Sequence, residues 1–153
     1  ERWDGYTHDK GYAKKAGSLN HYAYGAIGQW LYDRVAGISP LTAGYKTIRI
    51  APLISKHLTS AKVEYKSPYG EIKSKWYIRN GELIMKVTIP PNTQAQIEIP
   101  KWQYFPNKQK RALGDNISVN GQVLTEQNIM WVEETNMSKI IKVNPGYYKI
   151  QIK

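Results

Sequence analysis

The 153-residue sequence has no cysteine, which excludes disulfides and thiolate metal sites and leaves the redox compartment open. No stretch approaches the ~18 uninterrupted apolar residues that a bilayer-crossing helix needs, so no membrane span is expected. His8, His21 and His57 share no metal-ligand spacing, and there is no HExxH or clustered-carboxylate motif, so no metal site is supported. A GxGxxG fingerprint, a P-loop and a serine nucleophile elbow are also missing, which leaves nucleotide and acyl-transfer chemistry without a foothold and gives no reason to expect a cofactor. No charged-then-apolar leader opens the chain. A start on Glu1 rather than Met reads as trimmed, however, so localisation stays unknown.

Acidic residues are scarce, 12 against 22 basic ones, for a formal charge of +10. Such an excess invites a nucleic-acid partner, but its placement argues otherwise. Lys62, Lys66, Lys73, Lys75, Lys86, Lys149 and Lys153 mostly alternate with apolar residues, as on the solvated face of a sheet. Only KQKR at 108–111 is a basic cluster, in an expected loop. No nucleic-acid partner is therefore expected; binding of acidic polymers is kept as a minor reading, testable by salt-dependent retention. An apolar share of 41% is enough to pack a core.

Helical spacing occurs in one stretch, SLNHYAYGAIGQWLYDRVAG at 18–37, where Ala23, Ile27, Trp30, Leu31 and Val35 fall at steps of three and four. A long helix is expected there, capped at its start by Ser18 or Asn20 and ended by Gly37 in the left-handed conformation. Gly25 and Gly28 within it suggest close approach of another backbone. No partner helix is visible, so the helix is expected to belong to a larger helical assembly. Glu1–Gly17 reads as a loop, and residues 38–46, with Pro40 and Gly44, as a linker.

From Thr47 onward the period becomes two. Ile72, Ser74, Trp76 and Ile78 are expected inward, with Glu71, Lys73, Lys75, Tyr77 and Arg79 outward. Asn80-Gly81 is the strongest hairpin signal, because a type I′ turn needs positive φ at both central residues. Leu83, Met85, Val87 and Ile89 then share one face, as do Ala95, Ile97 and Ile99. Turns are expected at Ser67-Pro68-Tyr69-Gly70, Asn120-Gly121 and Asn144-Pro145-Gly146, an excursion between strands at 101–115, and a last strand at Tyr147–Ile152. The fold class is mainly β: a C-terminal antiparallel β-sandwich of eight to ten strands preceded by one long helix.

Four separated segments, ERW at 1–3, SLNHYAYGAIGQWLY at 18–32, GYKTIRIAP at 44–52 and SPYGEIKSKW at 67–76, resemble the C-terminal end of bacterial α-L-rhamnosidases of glycoside hydrolase family 78, in the family's order and nearly its spacing. The resemblance runs from Glu1 to about Pro100. It implies that residues 1–46 close an (α/α)6 catalytic barrel and that 47–153 form a C-terminal β-sandwich. It also implies an inverting hydrolase that removes terminal α-L-rhamnosyl units from a glycan or glycoside, with the remainder of the barrel as this segment's partner.

Inversion needs two carboxyl groups about 6.5 to 9.5 Å apart, one protonating the leaving oxygen and one activating water. The resemblance assigns Glu1 as the water-activating base, since the Glu of the ERW motif has that role in the family. Arg2 beside it can hold the carboxylate ionised. His21, the His of the NHYA motif, is implied to contact the sugar, and a neutral ring at a helix start offers one donor and one acceptor to a hydroxyl. Trp3 is implied, more weakly, as an apolar face for the pyranose ring or as a packing residue of the barrel. Asp4 and Asp9 are hydroxyl-ligand candidates on spacing alone. The general acid lies upstream, so the segment alone is expected to be inactive. Of the sandwich tryptophans Trp76 is expected in the core and Trp102 exposed in a loop; a non-catalytic carbohydrate-binding or structural sandwich module is the alternative reading.

Overall fold

The computed structural model describes residues 6–7, 11–12, 25–55, 57–104, 110–112, 117–123 and 130–153. The chain divides into two compact units, Glu1–Trp30 and Leu31–Lys153. In the first, β1 (Tyr6–Thr7) pairs antiparallel with β2 (Gly11–Tyr12), and α1 spans Ala26–Trp30 without a buried residue. The front half of the expected long helix, and its capping candidates Ser18 and Asn20, lie outside the described residues. Apart from its own helix, nothing in this chain's described residues lies within 4 Å of a Cβ placed at Gly28, so the backbone whose close approach the sequence suggests is not among them.

The second unit opens with a π-helical turn, Leu31–Val35, where continued α-helix is expected. Ala36 N–H donates five residues back to the Leu31 carbonyl at 3.1 Å. The orphan carbonyls at this helix end find partners in the sheet: Trp76 Nε1 donates to the Val35 carbonyl at 2.8 Å and Ser74 Oγ to that of Ala36 at 2.6 Å. Gly37 then takes φ +80°, and a side chain there would collide with the backbone of Ala51 and Pro52. Its positive φ is the one the sequence predicts, and the crowding makes glycine necessary twice over.

The strands that follow are β3 (Ile38–Pro40), β4 (Thr47–Ile50), β5 (Ser60–Ser67), β6 (Gly70–Arg79), β7 (Glu82–Ile89), β8 (Gln94–Pro100), β9 (Trp102–Tyr104), β10 (Lys110–Ala112), β11 (Ile117–Val119), β12 (Gln122–Val123), β13 (Met130–Glu134), β14 (Ser138–Val143) and β15 (Gly146–Ile152). Six form one sheet in the order β12-β11-β15-β7-β6-β5, and five form the other, β13-β14-β8-β4-β3. The expected sandwich is present, with three differences of detail. Ile38–Pro40 is an edge strand against β4 rather than linker, which suits Pro40 because an edge position needs no ladder N–H. The β4 and β8 strands run parallel, an arrangement that local alternation cannot reveal. Within the 101–115 excursion, β9 and β10 pair as a ribbon, so Lys110 and Arg111 of the basic cluster lie on a strand.

Alternation explains the core. Ile72, Trp76, Leu83, Val87, Ile150 of one sheet and Ile48, Ile50, Ala95, Ile97, Ile141 of the other are completely buried in a single apolar cluster. Asn80-Gly81 takes φ +51° and +79° between paired Arg79 and Glu82, and Asn120-Gly121 takes +52° and +86° between paired Val119 and Gln122. Both are the two-residue turns that the Asn-Gly dipeptides predict.

Candidate functional site

Glu1, Trp3 and His21, and likewise Arg2, Asp4 and Asp9, lie outside the described residues. Trp76 is core, as expected. Trp102 falls on β9 rather than in a loop. His57 is exposed, and among the described residues no group of three His, Asp or Glu side chains could hold a metal ion.

The described residues build two concave features that sequence reading did not single out. One is a groove of about 300 Å³ lined by Arg34, Arg49, Leu53, Glu98, Pro100 and Met137, among others. Its polar centre is a forked ion pair: Arg49 Nε lies 2.6 Å from Glu98 Oε1, and Nη2 lies 3.0 Å from Oε2. The parallel pairing of β4 with β8 produces this, because Arg49 stands opposite Gln96 and Ile50 opposite Ile97, bringing Glu98 within one residue's reach. Each charge satisfies the other in a bidentate geometry. No second carboxylate lines the groove among the described residues, so it can bind a ligand but cannot by itself supply the acid and base that inversion requires. The other feature is a polar hollow of about 370 Å³ at Lys46, Thr47, Asn92, Gln94 and Asn144, where Lys46 Nζ donates to the Asn92 carbonyl at 2.5 Å.

Three tyrosines meet beside the core. The Tyr32 and Tyr65 rings pack edge to face with centroids 6.0 Å apart, and Tyr45 packs on Tyr65 at 4.5 Å. Tyr45 sits at φ +65°, an uncommon backbone conformation for an aromatic residue, in the short turn between β3 and β4. Burial pushes its hydroxyl up to about 12, helped by its hydrogen bond and electrostatic interaction with Tyr65 and by the nearby Asp33. The Tyr45 hydroxyl therefore stays neutral across the physiological range. It locks the turn between β3 and β4 against β5, and so holds the first edge strand of one sheet to the other sheet.

Known proteins resemble this chain closely. The family model for the bacterial alpha-L-rhamnosidase C-terminal domain matches residues 37–113. An alpha-L-rhamnosidase of Formosa agariphila is 42% identical over all of this chain, and one of Streptomyces avermitilis is 40% identical over 65% of it. The chain spans only 16% and 10% of the lengths of these two relatives. Among solved structures, the Streptomyces avermitilis alpha-L-rhamnosidase complexed with L-rhamnose superposes with a TM-score of 0.72 at 29% identity, covering 99% of this chain and 13% of that one. The alpha-L-rhamnosidase of Dictyoglumus thermophilum shares the fold at a TM-score of 0.71 and 21% identity, covering 89% of this chain and 14% of its own. With a sandwich, a register and a family match that begins at the crowded Gly37, the chain belongs to the bacterial α-L-rhamnosidase C-terminal domain family.

Proposed function

We propose that this chain is the C-terminal portion of an inverting α-L-rhamnosidase and that its sandwich is the scaffold behind the catalytic unit rather than the seat of the chemistry. The observation that carries the reading is the 42% identity to an alpha-L-rhamnosidase over the whole chain, including the first thirty-six residues that precede the family match. Residues 1–46 supply the end of the helical barrel, apart from the Ile38–Pro40 strand lent to the sandwich, and 47–153 supply the rest of the sandwich.

In this reading Glu1 takes the proton of the attacking water while a carboxylic acid elsewhere in the parent protonates the leaving oxygen. A base must stay ionised, and Arg2 favours that state. His21 holds a sugar hydroxyl, and Trp3 covers an apolar face of the ring. The substrate is a rhamnose-containing glycan or glycoside. The test is the stereochemical course: the parent enzyme, followed by proton NMR on an aryl α-L-rhamnoside, should release β-L-rhamnose first. First release of the α-anomer would replace inversion by a double displacement and Glu1 by a nucleophile.

A further inference from the structure

The outer face of the six-stranded sheet carries a feature that alternation alone conceals. Lys62 of β5 stands opposite Lys75 of β6, Lys75 opposite Lys86 of β7, and Lys86 opposite Lys149 of β15. Four lysines thus form one row across four neighbouring strands, each pointing away from the core. At about 4.8 Å per strand the row runs about 14 Å. Like charges placed directly opposite one another oppose folding, so this row works against the stability of its own sheet.

The adjacent row is treated differently. Lys73 lies 2.9 Å from Glu71 and 3.9 Å from Glu64, and Glu64 also takes Lys62 at 2.9 Å, which holds the Glu64 carboxyl below its usual range. Lys75, Lys86 and Lys149 have no such carboxylate among the described residues. The ammonium groups of Lys75 and Lys86 instead approach the ring of Tyr77 at 5.5 and 5.9 Å, which orients them without cancelling their charge. Three cations in line without a carboxylate partner among the described residues, extended at one end by Lys62, which Glu64 partly neutralises, make a linear positive track.

We propose that this track binds an acidic polysaccharide, whose carboxylate or sulfate groups fall along the Lys75, Lys86 and Lys149 row. Charge complementarity selects a polyanion. A glycan is favoured over nucleic acid because Tyr77, the aromatic ring in the next row, is already approached by two ammonium groups that would compete with a stacking base. The choice of a glycan also rests on the rhamnosidase reading of the parent. The site would hold a charged chain near the enzyme while a terminal sugar is removed elsewhere.

The experiment uses the 153-residue chain in affinity gel electrophoresis at low salt, with polygalacturonate, dextran sulfate, neutral dextran or duplex DNA in the gel. Polygalacturonate, dextran sulfate or both should retard the chain, and neutral dextran should not; which of the two charged polymers binds tells carboxylate from sulfate. The triple variant K75Q/K86Q/K149Q should bind the retarding polymer at least about tenfold more weakly, while K75R/K86R/K149R retains binding and K142Q on the other sheet changes nothing. The same Gln variant should melt about 2 °C higher or more, because the repulsion is gone, which separates lost binding from lost folding. Equal retardation of wild type and Gln variant, retardation by neither acidic glycan, or tighter binding of DNA than of both would overturn the proposal. Hydrolysis of a rhamnoside by the parent is read separately, so failure here leaves the catalytic assignment standing, and failure there leaves any measured binding standing.

Discussion

The two units of the chain differ in how much apolar surface their described residues bury. Among the described residues, every completely buried apolar side chain lies in Leu31–Lys153, from Ile38 to Ile150, while the described helix of Glu1–Trp30 has no buried residue and leaves Ile27 59% and Trp30 46% exposed. The carboxylate, the histidine and the tryptophan proposed for sugar chemistry, Glu1, His21 and Trp3, all belong in sequence to the first unit. On the proposed assignment, mutations in the two units are read by different instruments, turnover for the first and unfolding for the second.

The largest effect should come from a change that spares the fold. In the parent enzyme Glu1→Gln should lower turnover roughly 10³-fold with the melting temperature unmoved, checked by kcat on an aryl rhamnoside alongside calorimetry. A variant that keeps near-normal kcat would remove Glu1 from the mechanism and dissolve the contrast between the two units. The opposite change, Trp76→Ala, should cost about 3 to 5 kcal/mol by opening a cavity and leaving the Val35 carbonyl unpaired. Urea titration reads this directly, and the surviving folded fraction of the parent should keep its specific activity.

Smaller losses sharpen the boundary. Ser74→Ala removes the 2.6 Å bond to the Ala36 carbonyl while scarcely changing the core volume, so about 1 to 3 kcal/mol should disappear from the same titration. The smallest effect is confined to alkaline solution. Because Tyr45 holds its proton to about pH 12 in the fold and to about 10 when unfolded, its stabilisation is complete below pH 10 and is lost as pH rises toward 12. Tyr45→Phe should flatten that part of the stability profile; an unchanged slope would mean that another group carries it.

How much of this was legible in the chain depends on range. The inward set Ile72, Ser74, Trp76 and Ile78, and the positive φ of Asn80-Gly81 and Gly37, follow from neighbours one to four residues away, and the structure has them. What alternation could not supply was register between distant strands. The parallel pairing of β4 with β8, the Arg49–Glu98 fork it creates, and the lysine row all depend on which residue of a remote strand stands opposite, and each strand satisfies the same pattern in several registers. The helix runs to its expected end at Gly37 but changes type for a related reason: the apolar spacing at Leu31 and Val35 fits an α-helix, while Trp76 and Ser74 reach in from another strand to take the Val35 and Ala36 carbonyls, and the backbone at Leu31–Val35 is π-helical. Of the site itself, the Glu1, Trp3 and His21 assignments came from motif resemblance, since nothing in their local spacing encodes the barrel that would bring them together.

The most direct measurement is the rate of aryl α-L-rhamnoside hydrolysis by the purified 153-residue chain, under conditions where it shows a cooperative melt. The expected rate is indistinguishable from the buffer blank, because the proposed assignment puts the base and the scaffold in this chain and the acid elsewhere in the parent. Turnover above the blank that disappears with Glu1→Gln would contradict it, and would place both catalytic carboxyl groups within these 153 residues.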